Sequence, residues 1–164
     1  MVSPETSRTE LALFAGGCFW CLEPAFAQLK GIIDLKVGYS GGTVPHPSYD
    51  QVGSGTTGHY EVIQVSFDPD QLSYQQLLET FWQHIDPTDE GGQFADRGQS
   101  YQTAIFYNSA EQKRLAEASR MKMDESGIYP QPIVTKILPA LPFYEAEEYH
   151  QEYYKKNPLR YELY

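Results

Sequence analysis

The chain contains two cysteines, Cys18 and Cys21, and both lie in the run Gly16-Gly17-Cys18-Phe19-Trp20-Cys21. A short apolar run, Leu11 to Ala15, leads into the glycines and predicts a buried strand followed by a tight turn. Phe19, Leu22, Phe26 and Leu29 then recur as one face of a helix does, ending at Lys30-Gly31. A cysteine where a strand turns into a helix meets unsatisfied backbone N–H groups and the positive end of the helix dipole. Both favour a thiolate. Cys21 falls on the same helical face, within disulfide reach, so one chemistry open to the pair is a nucleophile with a resolving thiol. The plain alternative is two small buried hydrophobes without reactivity.

Two other chemistries use such a pair. A structural zinc site needs four ligands, yet no second cysteine pair exists, and His46, His59, His84 and His150 are scattered along the chain. A general disulfide oxidoreductase uses Cys-x-x-Cys at a helix start. That motif carries an aromatic before its first cysteine, whereas here Phe19 and Trp20 lie between the two. A Phe-Trp pair is ordinarily core, but the residue after a helix-capping nucleophile tends to point outward, and an exposed aromatic beside a thiol suggests an apolar pocket.

Glu61 heads a predicted strand, directly after His59-Tyr60. A carboxyl at a strand mouth can be desolvated, stay protonated and act as a general acid; otherwise it is an exposed strand end. Tyr49 and Tyr101 could aim phenol donors into a common site, although with 13 tyrosines in the chain most must pack or face solvent. Asp96, near Gly98, reads first as a turn-former.

The elements that must position these residues follow in order. Ile32 to Tyr39 predicts a second strand, and Ser40 to His59 a long Gly/Pro/Ser/Thr-rich loop, a length that usually serves function. Glu61 to Phe67 alternates as a strand, Ser73 caps a helix running to His84, and Asp86 to Gln99 forms a second loop. Tyr101 to Tyr107 is a strand, Ser109 to Ser126 a charged helix stopped by Gly127, and Ile133 to Leu138 the last strand. From Pro139 the chain holds an acidic turn (Glu145, Glu147, Glu148) and many tyrosines, as irregular structure or a short helix. The order β-α-β-β-α-β-α-β predicts an α+β fold, a two-layer α/β sandwich around a mixed sheet.

Composition bounds the function classes. One domain over residues 1–164 is expected from 164 residues, a length at which a core forms without staples. The formal net charge of −10 argues against nucleic acid and against anionic lipid, both of which need a basic footprint. No apolar run is long enough to span a membrane, and the start MVSPETSRTE lacks the features of a signal peptide. With so few cysteines, a reducing cytoplasm is the expected compartment.

The sequence resembles the peptide methionine sulfoxide reductase A family. GGCFWC matches that family's GCFW active-site motif, and VGYSGG (37–42), HPSYDQV (46–52), TGHYEVIQVSFDP (57–69) and FWQHIDPTDEGGQFADRGQSYQTAIFY (81–107) follow in the same order. The resemblance implies a ferredoxin-like core with irregular terminal segments. It implies reduction of the S epimer of methionine sulfoxide, free or in proteins, as repair of oxidative damage. Cys18 would attack the sulfoxide sulfur, Phe19 and Trp20 would shape the methyl pocket, and Glu61 would protonate the oxygen. Tyr49 and Tyr101 would hydrogen-bond that oxygen, and Asp96 would bind the substrate backbone. No cofactor or metal is implied, only an external dithiol such as thioredoxin or dithiothreitol, with the chain expected to act as a monomer. Many members have Gly after the Trp and place resolving cysteines near the C-terminus. Here Cys21 follows Trp20, and the tail Tyr161-Glu162-Leu163-Tyr164 has no cysteine, so Cys21 would be the sole resolving thiol. Around Tyr101 the chain reads Gln99-Ser100-Tyr101-Gln102 where the family often has Gln-Tyr-Arg.

Overall fold

The computed structural model describes residues 9–93 and 96–151, without the side chain of Cys21. Strands β1 (Glu10–Gly16), β2 (Ile32–Ser40), β3 (Tyr60–Phe67), β6 (Thr103–Tyr107), β7 (Lys136–Pro139) and β8 (Tyr144–Glu145) form one sheet in the order β7-β6-β1-β3-β2-β8. A separate hairpin pairs β4 (Gly92–Gln93) with β5 (Asp96–Arg97). The helices are α1 (Phe19–Ala27), α2 (Tyr49–Gly53), α3 (Tyr74–Gln83) and α4 (Ala110–Glu125). Among the described residues, only the β6–β7 pairing is parallel. The inner order β6-β1-β3-β2, built from β-α-β-β-α-β, is the ferredoxin-like arrangement with helices on one face.

Alternation along the strands divides the core. Phe14, Ile63, Val65, Phe67 and Ile105 face the helices, while Leu13, Ala15, Tyr60, Val62 and Phe106 face away. On the helix side the Phe14 ring stacks on Phe26, Phe81 and Tyr74 at 5.4, 5.1 and 6.1 Å. The other face is covered by Leu138, Ala140 and Phe143. The segment after β7 therefore returns across the sheet, adds β8 to the edge of β2 and ends in a 3-10 turn, Glu148–His150. The Gln151 amide fastens it by accepting from Val37 N at 3.0 Å and donating to Val37 O at 2.9 Å.

Several expectations are corrected by local chemistry. The loop from Ser40 to His59 contains α2, opened by a capping box in which the Ser48 hydroxyl accepts from Gln51 N and the Gln51 side chain accepts from Ser48 N. Tyr101 closes a 3-10 turn (Gln99–Tyr101) rather than opening a strand, because its amide donates back to Gly98 O at 3.1 Å. Residues Ile133 and Val134 precede β7 instead of belonging to it, and Val134 N donates to Pro87 O at 2.7 Å. Pro24 lies beyond the first turn of α1, where it cannot donate to the carbonyl four residues earlier, and the helix stays nine residues long. Among the described residues, no helix is long and apolar enough to cross a membrane.

Candidate active site

Antiparallel pairing brings the chemically active residues to one end of the sheet. There β1 and β2 finish and β3 and β6 begin, so Gly16 faces Thr103 and Tyr39 faces Glu61. Gly17 turns the chain at φ +88°, and Cys18 becomes the N-cap of α1, 3% exposed. A Cβ on Gly17 would lie 2.6 Å from the Cβ of Gln93, so the β4–β5 hairpin packs directly beneath this turn. The cysteine thus sits at the positive end of a helix, as the Gly-Gly-Cys spacing predicts.

Glu61 shares the helix-facing side of β3 with Ile63, Val65 and Phe67, which carries its carboxylate under the start of α1. It is 1% exposed, and its Oε1 accepts a hydrogen bond from Phe19 N at 3.3 Å. The carboxyl and the thiol-bearing turn are therefore direct neighbours. Phe19 is buried rather than turned outward, because its ring fills a slot between Tyr39 and Tyr49 at 5.9 and 6.4 Å. Trp20 is the half-buried member of the pair and stacks on Tyr49 at 6.0 Å and 18°.

Tyr49 opens α2, and Tyr101 ends the 3-10 turn before β6; each phenol influences the ionisation of the other. Burial pushes the Tyr49 phenol up to about 12; Glu61, Cys18 and Asp96 add to the rise and the neighbouring Tyr101 hydroxyl opposes it. Tyr101 is raised further, by burial first and then by Glu61 and Tyr49. Both phenols are consequently neutral donors throughout the physiological range. Asp96, half-buried in β5 and paired with Gln93, adds its charge to the same cluster. The Cys21 backbone belongs to the first turn of α1, while its side chain, expected as the resolving thiol, lies outside the described residues.

Three residues of this site have no functional reading in the sequence. His150, from the last turn described, is 1% exposed and packs against Tyr49, Trp20 and Phe19 at 4.4, 5.2 and 5.3 Å. Its Nδ1 accepts from Trp20 Nε1 at 2.9 Å. Glu147 accepts from the Tyr39 hydroxyl at 2.9 Å and from Tyr49 N at 3.1 Å; burial raises its carboxyl, but its own backbone amide, these two bonds and the nearby His150 together hold it below the usual range. Tyr39 itself is raised, chiefly by burial. Nothing in period or composition marks residues that return from so far along the chain; the acidic turn around Glu147 was their only trace. Among the described residues, no group of three or more His, Cys, Asp or Glu side chains is disposed to hold a metal ion.

A buried cysteine at a helix start, a buried carboxyl beside it and two neutral phenols form an arrangement suited to thiol chemistry on a polar acceptor. Residues 10–164 match the family described as peptide methionine sulfoxide reductase. The chain belongs to that family. The peptide methionine sulfoxide reductase MsrA of Bacillus pumilus is 57% identical over 159 residues, covering 97% of this chain and 89% of that protein. The crystal structure of Mxr1 from Saccharomyces cerevisiae in reduced form superposes with a TM-score of 0.84 at 35% identity, covering 97% of this chain and 90% of that one. Mxr1 in complex with Trx2 aligns at a TM-score of 0.61 and 27% identity, over 93% and 88% of the two chains. The protein is accordingly an oxidoreductase of the methionine sulfoxide reductase type, and its chemistry depends on thiols.

Proposed function

We propose that this chain reduces the S epimer of methionine sulfoxide, free or in proteins, with Cys18 as nucleophile and Glu61 as acid. The observation that supports this reading most directly is the burial of Glu61 against the amide of Phe19, the residue next to Cys18. Sulfoxide sulfur becomes electrophilic only when its oxygen is stabilised, since oxygen departs poorly as an anion. A protonated carboxyl together with the Tyr49 and Tyr101 hydroxyls supplies preorganised donors for that oxygen. Burial of Glu61 favours the protonated carboxyl that this role requires. Phe19 and Trp20 shape the pocket for the methyl group, and Asp96 binds the backbone of the substrate.

The Cys18 sulfur bonds to the sulfoxide sulfur as Glu61 protonates the oxygen; the S–O bond then breaks, the hydroxyl passes to the Cys18 sulfur as the new S–S bond breaks in turn, and Cys18 is left as sulfenic acid while methionine is released. The Cys21 thiol then displaces water from the sulfenic acid to form the Cys18–Cys21 disulfide. A dithiol reductant reopens it by exchange. The yeast complex with Trx2 supports a thioredoxin in that role. The whole chain works as one catalytic domain and as a monomer, in the cytoplasm, where such reductants are held reduced.

The experiment compares turnover of the separate S and R epimers of N-acetyl methionine sulfoxide with dithiothreitol, for wild type, Cys18→Ser and Cys21→Ser. The expected result is turnover of the S epimer alone, abolished by Cys18→Ser. With thioredoxin as the reductant, Cys21→Ser gives one stoichiometric release of methionine without recycling. If neither epimer is reduced while insulin disulfides are, the chain is a general disulfide oxidoreductase instead.

A further inference from the structure

Helices α3 and α4 pack side by side without filling the space between them. Glu79, Trp82 and Gln83 share one face of α3, and Leu115, Ser119 and Met123 share one face of α4. Between these faces runs a groove of about 620 Å³, a size that suits ligand binding. The Trp82 indole donates to Ser119 Oγ at 2.8 Å across its floor. Ile128 and Tyr129 continue the lining past the end of α4, and Ile128 is 66% exposed. Half-buried Leu115 and Met123 beside this isoleucine make an apolar surface that faces water, the mark of an interaction site.

The groove leads toward the cysteine. Ile85, just past the end of α3, puts its Cγ2 3.0 Å from the position that a Cβ on Gly16 would take. Burial raises the Tyr129 phenol and the Asp86 carboxylate adds to the rise, so the end of the groove lies beside Asp86. Asp86 N in turn donates to Oε1 of Gln93, the residue packed under Gly17. Trp82 and the Cys18 turn are thus about 15–20 Å apart, a span of about five or six extended residues. The ground between them is acidic. Residues 86–97 carry Asp86, Asp89, Glu90 and Asp96 against Arg97, which is itself bonded to Asp89 at 2.6 and 2.8 Å. We propose that the groove between α3 and α4 is an anchoring subsite for polypeptide substrates. It takes an apolar side chain about five or six residues from the methionine sulfoxide, and the acidic stretch favours a basic residue between the two. This rests on the reading of the Cys18 site given above. Free methionine sulfoxide cannot span the distance, so the subsite separates protein substrates from the free amino acid. An anchor remote from the reacting atoms binds ground and transition states alike, and it lowers KM while leaving kcat.

The test uses the full chain and blocked Gly/Ser peptides that carry one methionine (S)-sulfoxide. A leucine stands on each side of the sulfoxide, either six residues away or two, with lysine or glutamate between. The six-residue lysine peptide is expected to show a KM about tenfold below that of the two-residue one, the gain from burying part of a leucine side chain, with kcat within about twofold. Ile128→Ser and Ala118→Glu, which strip or fill the groove, bring this ratio to about one, and Ile128→Leu keeps it. Because the ratio is taken within one variant, a general loosening of the fold cancels from it. A ratio near one in wild type, an unchanged ratio in both groove variants, or equal KM for the lysine and glutamate peptides overturns the proposal. Should wild type reduce neither these peptides nor N-acetyl methionine (S)-sulfoxide, the functional reading falls, and the groove is read by itself. The Trp82 indole N–H resonance of the 15N-labelled chain must then shift with the leucine peptide and not with its serine counterpart; a signal that stays put overturns the subsite.

Discussion

Replacing Gly17 by alanine tests the turn that presents Cys18. At φ +88° the backbone is in the left-handed region, which costs an L side chain about 1–2 kcal/mol. The added Cβ would also lie 2.6 Å from Gln93 Cβ and 2.9 Å from its Cγ, well inside contact distance. Gln93 is held on both sides. Its Oε1 accepts from Asp86 N at 2.7 Å, and its Nε2 donates to Asp86 O at 2.7 Å and to Gly92 O at 2.8 Å. Withdrawing it loses about two of these bonds, worth about 1 kcal/mol each, so the whole substitution costs about 3–4 kcal/mol. For a chain of this size that lowers the melting temperature by roughly 6–16 °C. Gly55→Ala is the matched control, with φ +80° and nothing within 4 Å of its Cβ. It carries the backbone cost alone, about 2–8 °C. Thermal melts followed by circular dichroism compare the two. Equal shifts would refute the reasoning, since they would mean that the Gln93 contact relaxes freely and that the hairpin does not brace the cysteine turn.

Glu61→Gln keeps shape and hydrogen bonding but removes the proton, and it should slow single-turnover release of methionine by about a hundredfold or more while the melting temperature is maintained; stopped-quench analysis of methionine checks this. Burial raises the phenols of Tyr39, Tyr49, Tyr74 and Tyr101 above 10.0. Because their folded values exceed the unfolded one, the stability they contribute is complete below pH 10 and is lost as pH rises through the folded values. Melts across pH 8 to 12 should be flat from this source to about 10 and fall beyond it, with these phenolates appearing late at 295 nm. His59, buried, accepts from Gly42 N at 3.1 Å and lies 2.6 Å from Val44 O, so it ties the loop that carries α2. His59→Phe strands both backbone groups, costs about 1–3 kcal/mol and should open cleavage between residues 43 and 58 in limited proteolysis.

The frame is legible wherever a periodic pattern and a cap agree. Val65 and Phe67 on one face of β3, and the Ser73 cap before Leu77, Leu78 and Phe81, read correctly from spacing alone because each signal is local. Cys18 at a helix start and Glu61 at a strand mouth were equally legible, and pairing then placed them side by side. The Ser48-x-x-Gln51 capping box would have revealed α2, but it was hidden in a stretch rich in loop residues. Tyr101 looked like strand because an apolar β-forming run follows it, while Gly98 at φ +127° bends the chain into a turn first. His150 and Glu147 were invisible as site residues for a different reason. Their roles arise from a segment that travels across the back of the sheet, and no short-range pattern encodes where such a segment lands.

The bonds that complete the site span 42, 98 and 130 residues of sequence: Phe19 to Glu61, Tyr49 to Glu147 and Trp20 to His150. During synthesis the cysteine turn and its carboxyl can meet early, whereas the indole gains its anchor only after residue 150 has left the ribosome. A nascent or truncated chain ending near Ala146 would thus carry the Cys18 turn without the partners of the Trp20 indole, the Tyr39 hydroxyl and the Tyr49 amide. Long-range closure of this kind also slows folding, because loop entropy must be lost before any of these contacts returns energy.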